Sequence, residues 1–198
     1  MIIIFLGQPG SGKGTQAKLL GDYLKISSYS MGQLLREEYD KKTKEGILAE
    51  KYWGEKGINV PTNISFPILK NYLDKKNNFI LDNFPRTPAN LEYFKKYLAK
   101  RKLAVNYVFH LSISKKEAVK RLLKRAVIDE KKFGKKRLDE TEELIRVRYE
   151  KGYETEIPAV LQYYRRQKIL FEFDGSEKIK DIHKKIIRVI KKSAEEPT

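Results

Sequence analysis

The feature that most constrains this chain is the glycine-rich stretch GQPGSGKGT at residues 7–15, which follows directly on the apolar run 2–6. A short β-branched run that ends in glycines predicts a buried strand followed by a tight turn. From Lys13 to Leu24, apolar side chains recur at helical spacing. Strand, glycine loop and helix together predict a phosphate-binding loop, because backbone N–H groups, a helix N-terminus and Lys13 would all face the anion.

Further strand-like runs alternate with helical patterns along the chain, at residues 26–29, 79–81, 105–111 and 169–173. This alternation predicts an α/β fold of the P-loop NTPase type, with a five-stranded parallel sheet and helices on both faces. Ligands collect at the carboxyl ends of such strands, where the glycine loop already lies. The Lys/Glu-rich sequence after Ile190 is expected to be a disordered tail.

Two stretches depart from this alternation and predict small inserts. Residues 30–60 show short helical patterns without a strand, and residues 126–136 form a short polar connection that we expect to be a lid. The core domain then comprises residues 1–29, 61–125 and 137–198. An insert of about thirty residues is too small for a core of its own, so we expect a mobile flap.

Composition excludes several classes of protein. The chain has no cysteine, which excludes disulfides and thiolate zinc sites, and its two histidines, His110 and His183, are too few for a metal cluster. The apolar N-terminal run is too short for a signal peptide and lacks a basic leader. No apolar stretch approaches the length needed to span a membrane. We therefore expect a cytoplasmic protein without zinc and without membrane association.

The formal net charge of +16 predicts polyanionic partners, among which nucleotides, nucleic acid and membrane surfaces all qualify. Most of this charge is lysine scattered along helical patterns, and lysine lacks the planar fork by which arginine recognises phosphate. A nucleic-acid-binding P-loop ATPase is a distant alternative. Because basic and aromatic residues are not interleaved as on a strand-binding face, we expect no specific nucleic-acid partner.

The glycine loop departs from the generic pattern GxxxxGK[ST], since Gly14 separates Lys13 from Thr15. The run GQPGSGKGTQ resembles the loop of the nucleoside monophosphate kinases, adenylate kinases above all. This resemblance extends over nearly the whole chain and implies that the loop binds ATP. The loop residues implied in ATP binding are Gly10, Ser11, Gly12, Lys13, Gly14 and Thr15.

Three further segments resemble the acceptor side of the same family. Residues 30–36, SMGQLLR, are similar to S-T-G-D-x-L-R; residues 57–61, GINVP, to G-x-x-V-P; and residues 82–87, DNFPRT, to D-G-F-P-R-T. The resemblance implies that two arginines hold the acceptor phosphate and that Asp82 organises Mg²⁺ through water, with Thr15 as a further metal ligand. The implied acceptor-binding residues are Met31, Arg36, Ile58, Asn59, Val60, Asn83, Arg86, Asn90, Arg137 and Arg148.

Four arginines match the family's spacing of R-x-x-x-R, a lid, R-x-D-[DE] and a final arginine. Arg121 and Arg125 lie four residues apart, on one face of a helix that starts near Ser114, and Arg137 and Arg148 lie beyond the expected lid. Phosphoryl transfer needs such a shell, because negative charge is spread over the oxygens of the migrating group. The implied catalytic residues are Lys13, Arg86, Arg121, Arg125, Arg137 and Arg148.

The segment FDGS at residues 173–176 resembles the family's V-D-G-[ST] turn, whose backbone contacts the donor adenine. It implies that Gly175, together with Arg121 and Arg125, helps to bind ATP. The predicted activity is that of an adenylate kinase: the reversible, Mg²⁺-dependent transfer of the γ-phosphoryl group of ATP to AMP, which gives two ADP.

The base of the acceptor nucleotide is less constrained by the sequence. Asn90 takes the place of the glutamine that reads adenine in adenylate kinases, and the pattern F-P-R-x-x-x-N-L is the one seen in UMP/CMP kinases. A UMP/CMP kinase or a broad nucleoside monophosphate kinase is therefore the alternative. We expect AMP to be accepted with relaxed preference and CMP or UMP to be phosphorylated measurably. The sequence does not give the oligomeric state.

Overall fold

A computed structural model describes residues 1–133 and 141–195, and within them the chain forms a five-stranded, all-parallel sheet flanked by helices. The strands are β1 (Ile2–Gly7), β2 (Ser28–Ser30), β3 (Phe79–Asp82), β4 (Tyr107–Ser112) and β5 (Leu170–Asp174). The predicted fold class and the five predicted strands are confirmed.

The helices connect the strands in the order that the sequence predicts. They are α1 (Lys13–Leu24), α2 (Met31–Asp40), α3 (Lys44–Trp53), α4 (Thr62–Leu73), α5 (Pro88–Lys100), α6 (Lys115–Phe133), α7 (Glu142–Val147), α8 (Ile157–Arg166) and α9 (Ile179–Glu195). A π-helix, Arg148–Glu154, joins α7 to the loop before α8. Along the described ranges, none of these helices has the length and apolar character needed to cross a bilayer.

Strand β1 lies at the centre of the sheet, whose order is β2-β3-β1-β4-β5. It pairs with β3 and β4, so that Phe5 lies opposite Asp82 and Leu6 opposite His110. Alternate side chains of β1 enter two hydrophobic clusters: Leu6 belongs to one, Phe5 to the other, and both are fully buried. Burial on both faces explains why this strand is a continuous apolar run. The register brings the loop after β1 next to the end of β3.

The helical insert shares the main core instead of forming one of its own. Leu34, Leu35 and Ala49 are buried in the same hydrophobic cluster as the sheet residues. Helices α2 and α3 form a tight hairpin, in which the side chain of Thr43 caps α3 by accepting a hydrogen bond from the N–H of Gly46 at 3.1 Å. This packing anchors the insert to the sheet through its apolar face.

Two helices are longer than the sequence predicts. Helix α6 continues to Phe133, so residues 126–133 of the expected lid extend the helix that carries Arg121 and Arg125, while residues 134–136 lie outside the described residues. The expectation of a disordered tail after Ile190 is wrong as far as Glu195, because α9 runs that far. Lysine, alanine and glutamate are strong helix formers, and they extend a helix that the core has already started. The domain division itself, with a mobile flap and lid, stays a prediction.

The α2–α3 hairpin predicts a large difference between two glycine substitutions. A Cβ at Gly46 would lie 2.2 Å from the carbonyl carbon of Glu38, whereas a Cβ at Gly32 would make only ordinary contact with Arg36 at 3.5 Å. Gly46→Ala should therefore destabilise the fold by about 1–3 kcal/mol. Gly32→Ala should be neutral or stabilising, because alanine is the better helix former. Urea denaturation of both variants tests this, and equal stability of the two would contradict the packing described.

Candidate active site

The phosphate loop is shaped by glycines in a backbone conformation that other residues rarely adopt. Gly10 and Gly12 have φ angles of +83° and +90°, and α1 begins directly after them at Lys13. The N–H of Ser11 donates to the carbonyl of Gln8 at 3.1 Å, and the ammonium of Lys13 donates to the same carbonyl at 3.2 Å. The loop thus folds around the N-terminus of α1, where the helix dipole favours an anion.

Beside this loop lies a cavity of about 230 Å³, which we call the inner cavity. It brings the predicted phosphate-binding residues together with Asp82 and the two arginines of α6. Its walls are formed by Gly10, Gly12, Lys13, Gly14, Thr15, Asp82, Arg121, Leu122 and Arg125. The cavity therefore combines a backbone anion site, three cationic side chains and one carboxylate.

Asp82 ends β3 and faces the start of α1. It is 7% exposed, and its Oδ2 lies 3.0 Å from the position that a Cβ of Gly14 would occupy. Its Oδ1 is buried and has no hydrogen-bond partner among residues 1–133 and 141–195. A buried carboxylate oxygen without a donor is costly, and it suits a hard cation such as Mg²⁺. The hydroxyl of Thr15 lines the same cavity, so these two residues fit a metal that neighbours the phosphates.

Arg121 connects three elements around the cavity. Its Nε donates to the carboxylate of Glu117 at 2.7 Å, and its Nη1 donates to the carbonyls of Gly175 at 2.9 Å and Gly10 at 3.4 Å. The turn at Gly175 packs closely on the loop, because a Cβ there would lie 2.6 Å from the carbonyl oxygen of Ser11. These contacts hold the guanidinium at the mouth of the inner cavity.

On the other side of Arg121 lies a larger cavity of about 720 Å³, which we call the outer cavity. It shares Gly10, Gly12, Thr15 and Arg121 with the inner cavity, so the two are contiguous. The start of α9 supplies wall residues that the sequence analysis missed: Glu177, Lys178, Ile179, Lys180, Asp181, Ile182 and Lys184. Their position directly after the FDGS turn was the signal that could have identified them.

A separate cavity of about 70 Å³, the acceptor cavity, lies between the insert and β3. It gathers every predicted acceptor residue of the described chain except the final arginine: Met31, Arg36, Ile58, Asn59, Val60, Asn83, Arg86 and Asn90. Sequence reasoning missed Gly32, Leu35, Trp53, Gly57, Ser65 and Phe84, which line the same cavity. Gly32, Leu35, Gly57 and Phe84 stand at fixed positions of the quoted motifs, and that was the signal that could have identified them. Trp53 and Ser65 belong to no quoted motif, and only packing places them there.

Two asparagines stand where the resembled family has other residues. Asn83 adopts φ +68° and donates its N–H to the carbonyl of Phe5 at 2.9 Å, so it keeps the left-handed turn that glycine would make. Asn90 is 4% exposed; its Nδ2 donates to the hydroxyl of Thr62 at 2.8 Å, and its Oδ1 accepts a 3.4 Å bond from the N–H of Arg86. Asn90 thus couples the start of α5 to the start of α4 at the cavity wall.

A groove of about 670 Å³ connects the donor and acceptor sides. It shares Gly14, Asp82 and Arg125 with the inner cavity, and it shares Arg36 with the acceptor cavity. Arg36 on α2 and Arg125 on α6 therefore line the same groove. The arrangement is a cleft whose two ends can each hold a phosphorylated ligand, with positive charge between them.

Two predicted arginines cannot be placed in this cleft. Arg137 lies outside the described residues, and Arg148 begins the π-helix but its side chain lies outside the described part. Their roles stay predictions. In the described residues no group of three or more His, Cys, Asp or Glu side chains is arranged to hold a metal ion.

The π-helix is attached to the sheet through a buried histidine. His110 on β4 contacts the hydroxyl of Tyr153 through Nε2 at 2.8 Å and the carboxylate of Glu172 through Nδ1 at 3.3 Å. Since a carboxylate only accepts, Nδ1–H donates to Glu172 and Nε2 accepts from Tyr153. Burial lowers the pKa of His110, and the hydrogen bond to Glu172 offsets part of that effect. Arg165, which binds Glu172 at 2.8 Å, adds to the lowering.

This histidine predicts a pH-dependent stability. An unfolded histidine titrates near pH 6.5, whereas His110 stays neutral to lower pH in the fold, so below about pH 6.5 the unfolded state binds more protons. The free energy of unfolding should fall as pH drops from about 6.5 towards the folded pKa, by at most about 1.4 kcal/mol per pH unit for this group. The measurement is urea unfolding at several pH values.

The matched variants are His110→Gln and His183→Gln. His110→Gln should flatten the loss of stability below pH 6.5, while His183→Gln should keep the His110 contribution, since only His110 bridges β4 to the π-helix. An unchanged slope in His110→Gln would show that His110 is not the titrating group.

The sequence of this chain matches those of known proteins of one family. The family model described as "Adenylate kinase" matches residues 5–169. An adenylate kinase of Archaeoglobus fulgidus is 33% identical over an alignment of 216 positions, which includes 97% of this chain and 99% of that protein. One from Azobacteroides pseudotrichonymphae is 34% identical over 187 residues, which cover 93% and 94% of the two chains. One from Thermosipho africanus is 31% identical over an alignment of 216 positions, which includes 97% of this chain and 100% of that protein.

Proposed function

The chain belongs to the adenylate kinase family, and from this premise we propose how its cleft holds the two substrates. It is a nucleoside monophosphate kinase that transfers the γ-phosphoryl group of ATP to AMP and gives two ADP. The observation that supports the assignment of each cavity is the groove that joins the inner cavity to the acceptor cavity between Arg125 and Arg36. A binding protein for one nucleotide would need no second cationic site at the end of such a passage.

We assign the donor nucleotide to the inner and outer cavities. The glycine loop and Lys13 bind the phosphates, because the N-terminus of α1 and the ammonium group both favour anions there. The outer cavity, of about 720 Å³, is within the size range of nucleotide and cofactor pockets and takes the adenosine. Arg121, held by the carbonyls of Gly10 and Gly175, lies at the junction of the two cavities, where the triphosphate is joined to the adenosine.

Oδ1 of Asp82 receives no hydrogen bond within the described residues, and Thr15 lines the same cavity. Together these two residues fit the Mg²⁺ that accompanies ATP. When bound there, Mg²⁺ would neutralise charge on the phosphate oxygens. Asp82 itself contributes a buried, negative and fixed ligand at the end of β3, and its strand position holds it close to Gly14. Arg125 lines the same cavity, so its positive charge offsets that of the carboxylate.

The acceptor monophosphate is assigned to Arg36 and Arg86 in the acceptor cavity. Each guanidinium can donate two parallel N–H bonds to a phosphate. The acceptor needs no general base, because its phosphate oxygen is already an anion. The catalytic contribution of the protein is then to orient the two nucleotides and to stabilise the negative charge of the transferring group with Lys13 and Arg125.

The volumes of the cavities support movement of the insert. Nucleotide-sized ligands occupy pockets of about 300–1,000 Å³, whereas the acceptor cavity measures about 70 Å³. We infer that α2 and α3 move away from β3 when the acceptor enters and return when it is bound. Closure would exclude water from the transferring phosphoryl group and so suppress hydrolysis of ATP.

Replacement of Lys13 tests the donor site. Lys13→Ala should lower kcat by about 10²–10³-fold, because a charge-assisted contact to the transition state contributes about 2.7–4 kcal/mol. Lys116→Ala, which removes an exposed lysine of α6, is the matched control and should keep full activity. The measurement is ADP formation from ATP and AMP, with thermal unfolding as a check on the fold. Activity within tenfold of wild type at unchanged stability would refute the assignment of Lys13.

Asn90 gives the prediction on acceptor preference. The wild-type protein should phosphorylate AMP and, measurably, a pyrimidine monophosphate, since Asn90 reaches one methylene less far than glutamine. Asn90→Gln should raise the AMP-to-CMP ratio of kcat/KM. A panel of acceptors with ATP as donor measures both effects. If the wild type already rejects both CMP and UMP by about 10⁴-fold, the preference is not relaxed.

A further inference from the structure

The acceptor cavity leaves open which group reads the nucleobase. Asn90 lies at the position predicted to contact the base. One of its amide N–H groups donates to Thr62, and its oxygen accepts from the N–H of Arg86. Ser65 donates its hydroxyl to the carbonyl of Pro61 at 3.2 Å. These side chains brace the wall between α4 and α5, and their polar atoms are already partly used within the protein. One amide N–H of Asn90 is left for a base edge, so a second polar partner can add to the discrimination between bases.

Trp53 supplies such a group. It ends α3, lines the acceptor cavity, and its ring meets Tyr39 edge to face with centroids 5.9 Å apart. Its Nε1 is buried and has no hydrogen-bond partner within the described stretches of the chain. An indole N–H is a donor only, and a buried donor without an acceptor is costly. A ligand atom that accepts this hydrogen bond would remove the cost.

The position of Trp53 in the insert makes this contact dependent on binding. The cavity is too small for a nucleotide as it stands, so α3 must shift when an acceptor enters. Trp53 packs on the main hydrophobic cluster from the insert side, and a shift of α3 would move its indole relative to β3. The shielded N–H can then meet the base as the insert closes over it.

A single N–H donor discriminates bases by whether they present an acceptor or a donor. Adenine N1 and cytosine N3 are acceptors, whereas hypoxanthine N1, guanine N1 and uracil N3 carry hydrogen and are donors. Two donors facing each other leave both unpaired, and sites built on a polar contact reject the mismatched analogue strongly. Adenine and cytosine therefore fit such a site, and the other three bases do not.

We propose that Trp53 is a specificity-determining residue, whose indole N–H donates a hydrogen bond to the ring nitrogen of adenine or cytosine in the acceptor site. This inference rests on the proposed function of the acceptor cavity. It narrows the expected pyrimidine activity to CMP, because UMP presents a donor at the same position. AMP should also be strongly preferred over IMP, which differs from AMP in having a donor at N1 and an oxygen at C6.

The test compares Trp53→Phe with Tyr52→Phe. The first variant removes the N–H and keeps an aromatic ring, and the second removes a hydroxyl one residue earlier on the same helix, from a side chain that does not line the cavity. For each protein, kcat and KM are measured with AMP, IMP, CMP and UMP at saturating ATP. Trp53→Phe should raise the KM for AMP and for CMP by about two- to tenfold. The KM for ATP, the activity with IMP and UMP, and the thermal stability should change little.

A direct binding measurement uses the fact that Trp53 is the chain's single tryptophan, so that tryptophan fluorescence reports on this site alone. AMP added without ATP should shift the emission of the wild type, and IMP at equal concentration should shift it less. An AMP-to-IMP ratio of kcat/KM that is the same in Trp53→Phe as in the wild type would overturn the role of Trp53. If the wild type fails to phosphorylate AMP at all, the proposed function itself falls, and this inference with it.

Discussion

The cleft depends on the parallel pairing of β1 with β3 at the centre of the sheet. The register that sets Phe5 opposite Asp82 delivers the glycine loop and the carboxylate to the same edge. Because both faces of β1 are buried in separate hydrophobic clusters, a slip by one residue would exchange side chains of different shape between two close-packed cores. The core thereby holds the glycine loop, the carboxylate of Asp82 and the start of α1 at fixed separation.

Around this fixed centre, the proposed mechanism relies on positioned charge and on closure of the insert. Arg121 is positioned by carbonyls of the loop and of the turn after β5, and its charge is paired with the partly exposed carboxylate of Glu117. Arg36 and Arg125 approach one groove from two different helices, α2 and α6. Much of the formal charge of +16 is exposed lysine and is screened by salt, whereas arginines that face a closed cleft are screened less. The proposed function thus depends on a few positioned cations within a generally basic surface.

Sequence reasoning was strongest where local and global signals agree. Helix α1 has the predicted bounds, because glycines with positive φ angles end the loop at Gly12 and an apolar face starts at Lys13. It placed the ends of α6 and α9 too early, because both helices continue into sequence in which no helix was expected. The lid itself stays a prediction. Trp53 could not be predicted as part of the site, since it lies outside every quoted motif and a large aromatic side chain on a helix is ordinarily a core residue.

The central claim is direct transfer between two nucleotides held in one water-excluding cleft. ³¹P NMR of the protein with ATP, Mg²⁺ and AMP follows every phosphate at once. Direct transfer predicts that each AMP consumed yields two ADP, and that the same equilibrium is reached from ATP plus AMP as from ADP. No orthophosphate should appear while this equilibrium is being reached. Loss of ATP to ADP and orthophosphate, with AMP unchanged, would contradict it.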